Sequence, residues 1–213
     1  MGEKPIPEKN LQCANNIKEV NKEFKYILWK DEQINSFMQT EFSEYYTAFN
    51  KLPRMIMKID MFRYFLMYKY GGLYTDMDYI MFTPFDLLDY NIVIPCNRES
   101  STGEPERLGN CIFASIPNHI FWKLLMDTLF TIDRSAIDYE NDNTIDENIL
   151  GTGPMFVYHM WKTYSRNNND ICIPRRKLFH PPTKNNTEYI NKLKNSGCYG
   201  MHMCTGLWRN GAL

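Results

Sequence analysis

The chain has 213 residues, of which 44% are hydrophobic, 15% aromatic and 23% charged. This composition excludes disordered and collagen-like chains and is typical of a globular protein with one sizeable core. The 24 basic and 25 acidic residues give a net charge of -1, so no overall positive field favours nucleic acid, and we expect no nucleic-acid partner.

The alternation of helical and extended patterns predicts an α/β domain. In chain order we predict a helix over 8–22, a strand over 24–29, an irregular helix over 33–49, a helix over 55–70, and strands over 73–81 and 91–95. We then predict a surface loop over 97–110, a helix over 121–132, an acidic segment over 133–148, a helix over 155–164, a loop over 165–170 and a short strand from Ile171.

The most apolar stretch, residues 55–67, contains Lys58, Asp60 and Arg63. Charges at this spacing are costly in a bilayer, so we predict no transmembrane span. The first residues lack the cationic and apolar regions of a secretory signal, which predicts a cytoplasmic location by default. A Golgi location is expected only if an N-terminal anchor precedes this sequence. Six scattered cysteines without a Cys-x-x-Cys pair predict free thiols.

Two charged residues interrupt the apolar helix predicted over 55–70. Asp60 and Arg63 lie three residues apart, and therefore on the same face of the helix. The two residues form either an intrahelical ion pair or a binding site for a polar ligand. Their position upstream of a second pair of aspartates favours ligand binding.

That second pair, Asp76 and Asp78, follows Gly71-Gly72 in a predicted strand. Residues two apart in a strand project from the same side, so both carboxylates can hold one divalent cation. Such a cation keeps open positions for a diphosphate, whose charge grows when its bond to a sugar breaks. The segment therefore predicts a metal site that assists diphosphate departure, with a solvated strand end as the alternative. Tyr74 is either a donor contact or a packing residue.

The combined pattern resembles a known family. Asp60-x-x-Arg63, Gly71-Gly72 and Tyr74-x-Asp76-x-Asp78, in this order, resemble glycosyltransferase family 32, the DXD sugar-transferase family. The pattern is also similar to the catalytic domain of the large clostridial glucosylating toxins. Further segments extend the resemblance along nearly the whole chain, namely Tyr26–Trp29, Asn110, the turn Gly151-Thr152-Gly153-Pro154, and a closing His202 and Trp208.

The resemblance implies an α/β GT-A fold, a Rossmann-like mixed sheet flanked by helices, in a single domain over residues 1–213. Residues 1–95 would form the donor-binding half, and residues 96–213 the acceptor side and the closing segment. It also implies a retaining hexosyltransferase that uses Mn²⁺ or Mg²⁺, a UDP- or GDP-hexose donor, and a hydroxyl acceptor on a glycan, lipid or protein.

The resemblance also assigns roles to the matched residues. The predicted catalytic residues are Asp60, Arg63 and Asp78. The predicted donor-binding residues are Asp60, Arg63, Tyr74, Asp76, Asn110 and Trp208. The predicted metal ligands are Asp76, Asp78 and His202.

The start of the chain departs from the family pattern. Family members begin with a strand of the form Ile-Pro-x-x-Ile-His-x-Ile-Trp, and this chain starts near Pro5-Ile6-Pro7, where that strand has already ended. In this fold that strand lines the nucleotide base, so either the sequence starts at an internal methionine or the chain is truncated. A truncated, non-catalytic binding module is therefore the alternative function. A phosphohydrolase of the Asp-x-Asp-x-Thr kind is disfavoured because position 80 is Ile.

Overall fold

The computed structural model describes residues 5–131, 151–184 and 186–205. The helices in this part of the chain are α1 (Glu8–Val20), α2 (Asp31–Glu41), α3 (Ser43–Asn50), α4 (Met55–Tyr70), α5 (Ile120–Leu129), α6 (Pro154–Tyr164), α7 (Arg176–Phe179) and α8 (Thr187–Asn195). The strands are β1 (Gly72–Thr75), β2 (Tyr79–Met81), β3 (Ile92–Val93), β4 (Cys96–Glu99), β5 (Pro105–Leu108), β6 (Ile112–Ser115), β7 (Ile171–Cys172) and β8 (Gly200–His202).

A four-stranded mixed sheet has the strand order β1-β6-β3-β7. Strands β1 and β3 are antiparallel to β6, and β7 is parallel to β3. Two smaller antiparallel pairs, β2 with β8 and β4 with β5, lie outside it. The mixed sheet flanked by helices confirms the predicted α/β class.

Both faces of the mixed sheet are covered, because successive side chains of a strand point to opposite sides. Tyr74 and Phe113 are paired in register and pack in the cluster that contains the buried residues of α4. Leu73 and Ala114, the next pair along, pack instead with Ile17 of α1. The sheet is therefore enclosed between α4 on one side and α1 on the other.

Helix α4 has the bounds that the sequence predicts, and it is buried more completely than one apolar face requires. The eight consecutive residues 60–67 are all buried. The helix ends at Gly71, whose φ of 62° favours glycine. A Cβ at Gly71 would lie 2.5 Å from the carbonyl oxygen of Ser115. The chain can therefore turn tightly from α4 into β1 only with glycine at this position.

Several predicted elements are wrong. Residues 24–29 form no strand; their aromatic side chains pack into the core beside the sheet without a paired backbone. Residues 33–49 form two helices, α2 and α3, instead of one. The predicted strand over 73–81 is divided into β1 and β2 by a turn, and the predicted loop over 97–110 contains the β4–β5 hairpin.

The remaining predictions concern the acidic segment, Trp208, the cysteines and the absence of a membrane span. The segment 133–148 and Trp208 lie outside the described residues. All six cysteines are described, and they are free thiols, as predicted. Among the described residues, no helix has both the length and the apolar character needed to cross a membrane, as predicted.

Candidate active site

The turn between β1 and β2 carries Asp76 and Asp78. The Asp76 N–H donates to the carbonyl oxygen of Cys111, 2.8 Å away, and the Asp76 carbonyl accepts from the N–H of Tyr79 at 3.2 Å. The two aspartates therefore occupy a tight turn, and the prediction that they share one side of an extended strand is wrong. The turn nevertheless brings both carboxylates to the same place.

The two aspartates meet His202 at this turn. Strand β8 pairs with β2 and places His202 opposite Tyr79. One ligand atom from each of Asp76, Asp78 and His202 lies within 4.8 Å of the others. Carboxylate oxygens are the preferred ligands of Mg²⁺ and Mn²⁺, and imidazole is a common additional metal ligand. The donor set therefore fits a divalent cation.

Asp78 is held by the segment that follows β8. His202 Nε2 lies 2.8 Å from Asp78 Oδ1, and the N–H and hydroxyl of Thr205 each donate to Asp78 Oδ2 at 2.9 Å. Burial alone would raise the pKa of Asp78, but His202 and Thr205 lower it to about 2. Burial likewise opposes a charge on His202, yet its polar neighbours, Asp78 among them, raise its pKa. Asp78 is therefore an anion held in one orientation.

A buried ion-pair network lies next to this turn. Arg63 Nη2 lies 3.1 Å from Asp60 Oδ1 on the same helix, and Arg63 Nη1 lies 3.4 Å from Asp76 Oδ1. The residues Asp60 and Arg63 are only 4% and 2% exposed. The buried guanidinium of Arg63 thus links Asp60 on α4 to Asp76 in the turn.

Residues far along the chain complete the bonding of Asp60. Asn110 Nδ2 donates to Asp60 Oδ1 at 2.9 Å, and the Thr152 hydroxyl donates to Asp60 Oδ2 at 2.9 Å. Arg63 also donates to the carbonyl oxygen of Asn110, and the Tyr64 hydroxyl donates to that of Thr152. Both oxygens of Asp60 are therefore occupied, as a buried carboxylate requires.

Tyr74, on strand β1, contacts both the ion pair and the neighbouring strand β6. Its hydroxyl donates to Asp76 Oδ1 at 2.7 Å, and Arg63 Cζ lies 5.2 Å from the centre of its ring. The ring stacks on Phe113 with 5.8 Å between centroids. Burial raises the pKa of the phenol well above its usual range, so Tyr74 remains a hydrogen-bond donor. Tyr74 therefore both packs and orients Asp76.

A buried histidine lies behind the turn. His180 Nε2 lies 3.2 Å from Cys111 Sγ, and its Nδ1 lies 3.1 Å from the carbonyl oxygen of Cys96. A Cβ at Gly109 would lie 2.4 Å from the imidazole ring. Burial lowers the pKa of His180 to about 3. A neutral imidazole therefore packs against Cys111, the residue before β6, whose carbonyl oxygen accepts the hydrogen bond from the Asp76 N–H.

The structure brings together most of the predicted site residues, namely Asp60, Arg63, Tyr74, Asp76, Asp78, Asn110 and His202. The sequence analysis gave no role to Thr152 or Thr205. The resemblance pointed to the turn that contains Thr152, but no pattern marked its hydroxyl. For Thr205, the only signal was its position three residues after His202.

A known protein family matches this chain over the segment that contains four of the predicted site residues. Residues 7–95 match the family model described as "Glycosyltransferase sugar-binding region containing DXD motif". The matched region contains Asp60, Arg63, Asp76 and Asp78, and it ends before His202. The match therefore covers α4 and the turn with both aspartates.

Curated relatives extend the similarity beyond residue 95. The chain is 28% identical over 162 residues to "Inositol phosphoceramide mannosyltransferase 3" of Schizosaccharomyces pombe, covering 76% of this chain and 42% of that protein. It is also 28% identical over 166 residues to "Mannosyl phosphorylinositol ceramide synthase CSH1" of Saccharomyces cerevisiae, covering 77% and 41%. The chain thus spans less than half the length of these two relatives.

Among solved structures, the chain is similar to "PaToxG Glycosyltransferase", with a TM-score of 0.48 and 17% identity, over 76% of this chain and 65% of that one. The relative from Schizosaccharomyces pombe is a mannosyltransferase by name, and the name of the relative from Saccharomyces cerevisiae describes the synthesis of a mannosyl lipid. Taken with the match to the DXD region, they show that the chain is similar to glycosyltransferases whose sugar-binding region contains a DXD motif.

Proposed function

We propose that the chain transfers a hexose from a nucleotide-diphosphate sugar to a hydroxyl acceptor, with a divalent cation and with retention of configuration. The observation that carries the proposal is the convergence of Asp76, Asp78 and His202 within 4.8 Å, beside the buried Asp60–Arg63 pair. A divalent cation beside a fixed guanidinium is suited to the negative charge of a diphosphate.

Asp76, Asp78 and His202 would hold Mn²⁺ or Mg²⁺, which would neutralise the charge that develops on the departing diphosphate. Neighbouring residues orient the two aspartates before the donor binds. Thr205 fixes the orientation of Asp78, and Arg63 and Tyr74 fix that of Asp76. Preorganised ligands do not have to be reoriented when the donor binds, which favours the reaction.

Asp60, Arg63, Tyr74 and Asn110 would form the side of the site that receives the donor sugar. Because Asp60 and Arg63 are 4% and 2% exposed, only a few of their polar atoms can reach sugar hydroxyls. Their larger contribution is to hold Asp76 and Asn110 in place. Trp208 would cover the bound donor.

These assignments give the two parts of the chain different roles. Residues 1–95 would supply most donor contacts, and residues 96–213 the acceptor side. The second part also contributes to the donor site through Asn110, Thr152 and His202. Mannose is the first hexose to test, since one curated relative is named as a mannosyltransferase and the name of another contains mannosyl.

The test is a panel of UDP- and GDP-hexoses incubated with the purified chain, with Mn²⁺ or with EDTA, and scored by release of free nucleotide diphosphate. Donor hydrolysis requires no known acceptor. We expect release from one donor, dependent on the metal. Release that is equal with Mn²⁺ and with EDTA, or no release from any donor by a folded protein, contradicts the proposal.

Retention of configuration is tested separately. Once a donor and an acceptor are found, proton NMR of the glycoside formed early in the reaction reports its anomeric configuration. A product with the configuration of the donor supports a retaining enzyme, and the opposite anomer excludes one.

A further inference from the structure

The backbone of His202 is fixed by neighbouring contacts. The pairing of β8 with β2 sets His202 opposite Tyr79, and the Thr183 hydroxyl donates to the carbonyl oxygen of His202 at 2.8 Å. The next N–H along the chain, that of Met203, donates to the carbonyl oxygen of Asp78 at 2.7 Å. These bonds hold the main chain, but they leave the imidazole ring free to rotate about its side-chain bonds.

Each ring nitrogen of His202 contacts a different side chain. Nε2 lies 2.8 Å from Asp78 Oδ1, and Nδ1 lies 3.3 Å from Cys204 Sγ. Nε2 is thus the nitrogen beside the aspartate. A cation held by the two aspartates would therefore take Nε2 as its imidazole ligand, and the proton of the neutral ring would have to lie on Nδ1.

The sulfur of Cys204 is placed to accept a hydrogen bond from that proton. Sγ also lies 3.7 Å from the carbonyl oxygen of His202, which can accept a weak S–H···O bond. When the thiol proton points to this carbonyl oxygen, the lone pairs of the sulfur face the Nδ1–H group. The two contacts together favour the ring tautomer that leaves a lone pair on Nε2.

The backbone of Cys204 supports a role for its side chain. Its φ of 51° lies in the left-handed region, which is unfavourable for a residue with a Cβ and favours glycine. The turn itself is needed, because the N–H of the next residue, Thr205, donates to Asp78 Oδ2 at 2.9 Å. Glycine would form this turn with less strain, and what the cysteine side chain adds is the contact with Nδ1 of His202.

We propose that Cys204 is a positioning residue that orients the ring of His202 for the divalent cation. The proposal rests on the proposed transferase function with its metal site, and Cys204 acts through His202. Removing a hydrogen-bond partner of a metal-binding histidine typically lowers metal affinity by about 10- to 100-fold. Sulfur is a weak acceptor, so we expect an effect at the lower end of this range.

The test measures the affinity of the full chain for Mn²⁺ from the electron paramagnetic resonance signal of the free ion. Cys204 is exposed, so substitutions there leave no cavity in the core. Cys204→Ala removes the acceptor and is expected to weaken Mn²⁺ binding by about tenfold. Cys204→Ser retains a side-chain acceptor and is expected to recover most of the affinity. Equal affinities of Cys204→Ala and the wild type overturn the proposal.

Cys204→Gly separates the side chain from the backbone. Glycine adopts a φ of 51° without strain, so this variant retains the turn and loses the acceptor. We expect its midpoint of urea unfolding to be at least that of Cys204→Ala, and its Mn²⁺ affinity to be as low as that of Cys204→Ala. Wild-type affinity in Cys204→Gly would show that the acceptor is not needed and would overturn the proposal.

Cys172→Ala is the matched control, because it removes a half-buried free thiol from β7. Its Mn²⁺ affinity is expected to equal that of the wild type. If Cys172→Ala loses as much affinity as Cys204→Ala, the effect is not specific to residue 204 and the proposal is overturned.

A second measurement reports the ring directly. In a chain labelled with ¹⁵N-histidine, two-bond ¹H–¹⁵N NMR identifies which nitrogen of each ring carries the proton, and His202→Gln assigns the signals of His202. With Mg²⁺, which is diamagnetic, we expect the proton of His202 on Nδ1 in the wild type. A proton on Nε2 overturns the proposal.

Donor hydrolysis distinguishes this proposal from the proposed function. If the wild type hydrolyses a donor with Mn²⁺ and Cys204→Ala binds Mn²⁺ as tightly as the wild type, only the role of Cys204 is overturned. Mn²⁺ binding that depends on Cys204, in a protein that hydrolyses no donor, overturns the transferase function instead. A folded wild type that binds no Mn²⁺ overturns both.

Discussion

Arg63 lies one turn after Asp60 on α4, with 3.1 Å between Nη2 and Oδ1, and both residues are buried. Removing one partner of a buried ion pair leaves the other charged group without compensation, which costs more than the pair contributes when intact. This pair joins the central helix to the turn with the two aspartates, so the integrity of the core and the geometry of the site are coupled.

The first prediction concerns Asp60. Asp60→Asn keeps the shape of the side chain but removes its charge, and we expect it to lower the free energy of unfolding by about 3–5 kcal/mol. Urea denaturation measures the change. Glu19→Gln, which disrupts the exposed Lys22–Glu19 pair, serves as the control and is expected to have no measurable effect. Equal stability of the Asp60 and Glu19 variants would show that the buried pair contributes nothing.

The second prediction concerns the metal ligands. Asp76→Asn and Asp78→Asn should each reduce Mn²⁺-dependent donor hydrolysis by about 100-fold or more, because each weakens the charge that holds the cation. Asp89→Asn alters an exposed aspartate and should retain full turnover. Thermal melts of the three variants identify any loss of folding. Full turnover by either folded ligand variant would rule out the assigned metal site.

The third prediction concerns the glycines after α4. Gly71→Ala places a Cβ 2.5 Å from a backbone oxygen of Ser115, and the next two nearest atoms, in Ile116 and Pro117, are also backbone atoms that cannot rotate away. We expect a loss of about 3 kcal/mol or more, from overpacking and from the positive φ together. Gly72→Ala meets no atom within 4 Å, so only its φ of 81° is costly, at about 1–2 kcal/mol. Urea denaturation should rank the two variants in this order, and the reverse order would contradict the tight turn.

The fourth prediction concerns pH. Burial lowers the pKa of His180 from 6.5 to about 3, and the nearby charge of His202 acts in the same direction. Between these values the unfolded chain binds a proton that the folded chain excludes. The stability due to His180 is therefore complete above pH 6.5, and it falls by about 1.4 kcal/mol for each unit of pH below that.

Comparison of the wild type with His180→Gln isolates this effect. The variant should lose stability less steeply than the wild type as the pH falls below 6.5, whatever its stability at neutral pH. His159→Gln, at an exposed position, should follow the wild-type slope. Parallel curves for the wild type and His180→Gln would mean that His180 is not the titrating group.

Helix α4 could be predicted because the residues that define it are close together in the sequence. The apolar spacing over residues 55–70 and the glycines that follow define its length, and the structure confirms both ends. The same patterns failed for residues 24–29, because aromatic and β-branched residues report burial and not backbone pairing. They failed again for β4 and β5, whose polar strands lack the alternation that marks a half-buried sheet.

The part of the site that could be predicted consists of reactive residues that lie close together in the sequence. Asp60, Arg63, Asp76 and Asp78 lie within 19 residues of each other, and their types suggested both an ion pair and a metal. The hydroxyl of Thr152 reaches Asp60 across 92 residues. A single threonine carries no pattern, so only the folded chain reveals such a contact.

Strand β8 and Thr205 have a consequence for how the protein is made. His202 and Thr205 contact Asp78 across 124 and 127 residues, and domains begin to fold while the ribosome is still adding residues. Both aspartates therefore leave the ribosome long before the residues that orient Asp78 exist. The cation-binding geometry can form only after His202 and Thr205 have been added, so a nascent chain stalled before residue 200 would contain the DXD sequence without a finished site.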